Sequence, residues 1–226
     1  MESVFAKFIP KAYPFTYRVT LNIPVIAGAT PTDPKVAEGW IKSKLVDKET
    51  LVQSAVLETM VERGVEEGEA AELVAANRNL TGFKQDANGL YLEGRCIKAA
   101  IKESACIRFP WPEFKFGGET ADGKQKGKSA KSFFPEHVFV LEDRVYFGVK
   151  EATGINQRFV HSRFGSAIQY EEYIEDANLT FTLTTDYKFT NEQWALLWLT
   201  GEQQGIGASR SQGFGRYKVT EWEIQK

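Results

Sequence analysis

One segment near the C-terminus constrains this chain more than any other: Gly205-Ile206-Gly207-Ala208-Ser209-Arg210-Ser211-Gln212-Gly213-Phe214-Gly215-Arg216-Tyr217-Lys218-Val219. Its glycines recur at alternating and near-alternating positions, free to take positive φ and to approach a neighbour closely. Between them stand serines and arginines and no acidic residue. Bare N–H groups, hydroxyls and guanidinium groups are thus presented together, which is what a polyanion backbone needs. The flanks fix the context. Thr190-Asn191-Glu192-Gln193 is a capping box before a helix that buries Trp194, Leu197 and Trp198. Tyr217 to Ile224 alternates as a strand. The last third reads strand, helix, glycine-rich loop, strand.

The upstream chain supplies the partners. Tyr13 to Ile26 reads as a strand with Phe15, Tyr17, Val19, Leu21 and Ile23 on one face, ended by the turn-rich Ala27–Pro34. Helical stretches are expected over 34–45, after an Asp47 cap with Val52, Val56 and Met60 at spacing four, and over 68–76. Segments 80–84 and 90–93 flank an Asn88-Gly89 hairpin turn. Gly94 opens the most regular helix, its apolar stripe Ile97, Ala100, Ile101 and Ala105, with Arg95, Lys98 and Lys102 on another face. Periodicity then fails from Phe109 to Ser132, through Pro110-Trp111-Pro112 and a Gly/Lys-rich loop over 112–132. Loops of that length inside a domain are usually functional. Strands are expected over 137–141, 144–149, 158–163, 167–173 and 179–184. Together these predict an α+β domain spanning 1–226, an antiparallel sheet with helices on one face and a helical insertion over 34–76.

Composition narrows the function classes. At 226 residues and 42% hydrophobic content the chain can bury a sizeable core. No apolar run approaches the ~20 residues needed to cross a bilayer, and Met1–Lys7 lacks the pattern of a secretory signal. A cytoplasmic protein without membrane partners is expected. The net charge of -2 excludes a histone-like coat, but the charge is uneven. Acidic residues crowd Glu58–Glu72 and Glu171–Asp176, while lysines gather at Lys115, Lys124, Lys126, Lys128 and Lys131. Cys96 and Cys106, ten residues apart on one helix, would lie about 15 Å apart, too far to bridge each other. They read as buried free thiols. No zinc spacing, P-loop, nucleophile elbow or dinucleotide fingerprint occurs, so neither cofactor nor metal is expected. Glu171-Glu172 and Glu175-Asp176 read as a solvated hairpin before they read as a cation site.

Two segments resemble the RAMP superfamily, the repeat-associated mysterious proteins that bind RNA in CRISPR effector complexes. Residues 205–219 are similar to its C-terminal signature of helix, glycine-rich loop with Ser and Arg, and final strand. Leu90-Tyr91-Leu92-Glu93-Gly94-Arg95-Cys96-Ile97-Lys98-Ala99-Ala100-Ile101-Lys102 resembles its second element: a short strand, a small-residue turn and a Lys-containing helix. The match covers about a fifth of the chain, and Glu93-Gly94-Arg95-Cys96 replaces the Pro-Gly-Ser-Ser type of turn usual there. The resemblance implies a ferredoxin-like fold related to the RNA recognition motif, in a complex subunit or a free-standing or virus-encoded relative.

It also implies a site. Arg95, Lys98 and Lys102 would form a basic helix face near the loop. Gly205, Gly207, Ser209, Arg210, Ser211, Gly213, Gly215 and Arg216 would grip the sugar–phosphate backbone of single-stranded RNA. Tyr91, Phe214 and Tyr217 are candidate stacking platforms. Lys126 and Lys128 belong to a candidate finger touching RNA or a neighbour. Self-association or assembly with similar subunits is implied by the same resemblance. An endoribonuclease of the same fold is the alternative, with His161, flanked by Arg158 and Arg163, as acid or base, or with Asp33 in the loop after the first strand. His137 reads as structural. A third reading is an assembly protein whose glycine loop touches another polypeptide.

Overall fold

Side chains alternate in and out along β1 (Phe15–Ala27), burying Tyr17, Val19, Leu21 and Ile23 and making it the centre of the sheet. The structure is a computed structural model describing residues 14–31, 48–71, 80–117, 127–162 and 165–225. After β1 come β2 (Thr30–Pro31), α1 (Lys48–Arg63), β3 (Leu80–Gly82), β4 (Lys84–Asp86), β5 (Gly89–Glu93) and α2 (Gly94–Arg108). The second half holds α3 (Ala130–His137), β6 (Val138–Val140), β7 (Arg144–Tyr146), β8 (Gly154–Ser162) and β9 (Gly165–Thr185). It ends with α4 (Asn191–Gln204), a 3-10 turn (Arg210–Gln212) and β10 (Lys218–Gln225). The expected helix over 34–45 lies outside the described residues.

The topology follows from which strands find β1. β10 and β9 pair antiparallel on its two sides, and β8 folds back on β9 as a hairpin. Tyr173 of β9 faces Ala27 on one side and Gly154 on the other, so the spatial order is β10-β1-β9-β8. Read along the chain, β1–α2–β8–β9–α4–β10 in that order is the ferredoxin-like α+β arrangement. β3 pairs parallel with β9 beyond the end of β1, β2 pairs with β3, and β6 pairs with the far end of β9. A small second sheet, β4-β5-β7, stands beside the first.

The strands expected over 167–173 and 179–184 are one, the 21-residue β9. Its register with β1 runs unbroken from Phe15↔Thr185 to Ala27↔Tyr173, passing over Pro24, which has no N–H to offer. Opposite it, Asp176 takes a positive φ of 50°. The buried positions change parity there, from Ile23 and Ala177 to Ile26 and Ile174. A twist in both strands thus replaces a turn.

Both helices of the frame lie against the same core. α2 contributes Ile97, Ile101 and Ala105, and α4 contributes Trp194, Leu197 and Trp198. Tyr17 stacks on Trp222 at 4.4 Å and meets Trp194 edge-on at 5.3 Å. Each such buried side chain stabilises the fold by about 1.5–3 kcal/mol. The segment expected as loop over 112–132 is anchored: Phe116 is fully buried against Phe133 and Phe134, and its backbone pairs with Lys128. That aromatic cluster is why α3 forms where periodicity gave no helix. α1 and the helical residues 67–71 pack Val56 against Ala70 in a separate apolar cluster. Among the described residues no helix is long and apolar enough to cross a membrane.

Candidate nucleic-acid interface

The glycine-rich segment is built, not slack. α4 starts on the expected capping box: Gln193 N–H donates to Thr190 Oγ1 at 3.1 Å, and Thr190 N–H donates to Gln193 Oε1 at 2.9 Å. It ends at Gly205, φ 73°. The chain then closes on itself and on β1. Ile206 N–H donates to Gly215 O at 2.9 Å, Gly215 N–H to Val25 O at 2.7 Å, and Ala208 N–H to Ala27 O at 3.2 Å. A Cβ on Gly215 would lie 1.7 Å from the Ile206 carbonyl oxygen, and one on Gly205 would lie 2.8 Å from that of Gly215. Much of the glycine spacing therefore answers to closure of the loop on the end of β1.

This closure sets the loop beside α2. A groove of about 260 Å³ runs between Ile206, Gly207 and Arg210 of the loop, Cys96, Ala99, Ala100 and Glu103 of α2, and Lys84, Tyr91 and Glu93 of the β4–β5 hairpin. Its floor is apolar and small; its rim carries paired charges. Arg210 meets Glu103 as a fork, Nη1 to Oε2 at 2.8 Å and Nη2 to Oε1 at 3.3 Å. Lys84 meets Glu93 at 3.0 Å, and Arg95 reaches the other oxygen of Glu93 at 2.6 Å. Hydrogen bonds from Lys84 and then Arg95 hold the Glu93 carboxyl below the usual carboxylate range. Cys96 is exposed and Cys106 half-buried, against the expectation of two buried thiols. Partial burial of the sulfurs pushes both thiol pKa values up.

The expected residues divide. Gly205, Gly207, Ser209, Arg210, Ser211, Gly213, Gly215 and Arg216 share the one loop, with Ser211 and Arg216 exposed. The Ser209 hydroxyl is committed inward, donating to Glu171 Oε2 at 2.5 Å, so it is not free to donate outward to a phosphate. On α2 the groove face is Cys96, Ala99 and Glu103, at spacings of three and four residues; Arg95, Lys98 and Lys102 lie on another. Lys98 donates to the Pro135 carbonyl at 2.8 Å and sits 3.8 Å over the Phe139 ring, and burial pulls its pKa down. Lys102 is half-buried. Lys128 is paired with Glu136.

The aromatics divide too. Tyr91 lines the groove and Phe214 is half-buried, but Tyr217 is only 5% exposed and meets Trp198 edge-on. Burial pushes its phenol far up; it belongs to the core. The backbone of His161 pairs with Ser166 near the end of the β8–β9 hairpin. Asp33 and Lys126 lie outside the described residues. His137 donates its Nδ1–H to Asp186 Oδ1 at 2.9 Å and stacks on Phe133, a structural role. Among the described residues no three or more His, Cys, Asp or Glu side chains come together in a group that could hold a metal ion.

Two acidic residues are the unforeseen members. Glu103 was legible only as a helix position in line with Cys96 and Ala99. Glu171, expected on a solvated hairpin, is fully buried, and the Glu172 carboxylate accepts from Phe83 N–H at 3.3 Å.

A ferredoxin-like α+β frame with a glycine-rich loop closed on its central strand is the class this arrangement defines. No protein-family model matches the chain, and no curated protein matches it. Among solved structures it is similar to a chain in the cryo-EM structure of the Type III-B Cmr-beta bound to cognate target RNA. The identity is 10%, the TM-score 0.49, and the match covers 94% of this chain and 61% of that one. The present chain thus spans less than two thirds of that protein's length.

Proposed function

We propose that this protein binds single-stranded RNA by its sugar–phosphate backbone, through the outer edge of the glycine loop, as a subunit of a ribonucleoprotein assembly. The observation that carries the reading is the closure of residues 205–215 on β1. It turns the segment resembling the RAMP signature into a rigid support for Arg210, Ser211 and Arg216. A preorganised guanidinium fork suits a phosphate as well as it suits the Glu103 carboxylate it now holds. Binding is then an exchange in which a phosphate takes the place of Glu103 on Arg210. Such contacts fix position and carry no sequence, so recognition is weakly sequence-specific.

Arg95, Lys98 and Lys102 serve in this reading to hold α2 beside the loop rather than to contact phosphate, and the Lys-rich segment 124–131 serves as a finger towards RNA or a neighbouring subunit. Purification at low salt followed by the 260/280 nm absorbance ratio tests it. A high ratio abolished by ribonuclease but not by deoxyribonuclease is expected. A protein that carries no nucleic acid and binds no added single-stranded RNA contradicts it.

A further inference from the structure

We infer that Glu171 is the positioning residue of the glycine loop, holding Ser209 in the left-handed conformation from which Arg210 reaches the groove. The inference rests on the RNA-binding reading for its functional consequence, but not for its geometry. Ser209 has φ 52° and ψ 28°, a conformation that residues with a Cβ rarely adopt and that persists only where the surroundings impose it. The imposing group is visible. The Ser209 hydroxyl donates to Glu171 Oε2 at 2.5 Å, while Asn156 Nδ2 donates to Oε1 at 2.9 Å. Glu171 has no exposed surface, and a buried carboxylate must find donors or lose heavily in solvation.

The bond has leverage because of where each partner sits. Glu171 is fixed in the sheet by Asn156 of β8 opposite it and Thr81 of β3 beside it. Ser209 precedes the 3-10 turn and accepts from Gln212 N–H at 2.9 Å, so its φ and ψ set the direction in which Arg210 leaves. A strand on one side of β1 thus fixes the loop that follows α4. Arg158 completes the cluster: its Nε is buried without a hydrogen-bond partner, 3.6 Å from Glu171 Oε2. If Ser209 lets go, Arg158 can close on the carboxylate. Loss of the serine hydroxyl therefore need not leave a bare buried charge, and Ser209 variants are expected to fold.

Glycine tells the latch from general support, since it adopts the left-handed conformation without help. Ser209→Ala, Ser209→Gly, Glu171→Ala and Glu171→Ala/Ser209→Gly are compared by native-state trypsin cleavage after Arg210 and by affinity for a short labelled oligouridylate. Ser209→Ala and Glu171→Ala should be cut about tenfold faster than the parent and bind about fivefold more weakly. Ser209→Gly should stay within about twofold of the parent, and adding it to Glu171→Ala should restore both readouts. Equal cleavage of Ser209→Ala and Ser209→Gly overturns the latch, and that pair decides even if Glu171→Ala does not fold. Faster cleavage of Ser209→Ala with undiminished RNA affinity overturns its positioning role. The expected cleavage pattern with no RNA bound by any form, the parent included, upholds the latch and removes the RNA-binding reading alone.

Discussion

Two basic regions look equivalent in composition, the face of α2 carrying Arg95, Lys98 and Lys102, and the loop carrying Arg210 and Arg216. They are used differently. On the helix, Lys98 is spent on a carbonyl and an aromatic ring, and Arg95 is tied to Glu93, a half-buried carboxylate it shares with Lys84. The loop cations stand outward, Arg216 exposed and Arg210 on a groove, held by a carboxylate that a stronger anion can displace. A cation fixed on uncharged neighbours has only structure to give. One paired with an exposed carboxylate can change partners.

Either region should lose most where it is deprived of the glycine that brings it close to its neighbour. Gly215→Ala sets a Cβ 1.7 Å from the Ile206 oxygen at a φ of 73°, and should destabilise by about 3 kcal/mol or more in urea titration. Gly94→Ala, with a Cβ 2.0 Å from the Glu142 oxygen, should be comparably damaging. Gly213→Ala, in open space but at φ 93°, should cost only about 1 kcal/mol. Equal losses at Gly213 and Gly215 would show that close approach is not what the loop requires.

Single cation removals sharpen the contrast. Arg210→Ala should weaken single-stranded RNA binding about tenfold, with a stability change below about 1 kcal/mol, because its ion pair is partly solvated. Lys98→Ala should do the reverse, losing about 1 kcal/mol of stability and leaving affinity unchanged. Glu103→Gln frees Arg210 from its competitor and should tighten binding about threefold in an equilibrium titration. Weaker binding by that variant would mean that Glu103 holds Arg210 in its working position.

The smallest effect is acid dependence around Glu93. Its folded-state pKa is lowered by Lys84 and Arg95, so the stabilisation is present above the unfolded glutamate pKa and fades as pH falls through the folded value. Thermal melts of the parent and Glu93→Gln should differ at neutral pH and converge only as pH falls well below the ordinary glutamate pKa of about 4.3. A difference persisting at lower pH would assign it to packing.

Local signals carried far in this chain. The alternation in β1, the capping box of α4, the start of α2 at Gly94 and the glycine loop itself all answer to neighbours within a few residues, and they stand where the sequence puts them. The hairpin does too, although its turn centres on Ala87-Asn88, with Asn88 N–H bonded to Asp86 Oδ1. What escaped depends on partners distant in sequence. α3 is held by Phe116, and β9 runs on because β1 pairs straight through residues 174–178, between the two expected strands, while β8 pairs the first of them. Helical spacing put Lys98 on a different face from the apolar stripe but could not say that α3 and β6 would cover it. The acidic neighbours of Glu171 suggest a solvated side chain, whereas it is fully buried and its carboxylate is bonded to Ser209, 38 residues further on.

The most direct measurement is the salt dependence of single-stranded RNA affinity, by fluorescence anisotropy, for the parent, Arg210→Ala/Arg216→Ala and Lys98→Ala/Lys102→Ala. The loop pair should reduce the slope of log K against log salt by about 1.4, the value for two lost phosphate contacts on a single strand, and the helix pair should leave it within about 0.3 of the parent. An unchanged slope in the loop pair, or an equal fall in the helix pair, would contradict the assignment of RNA binding to the glycine loop.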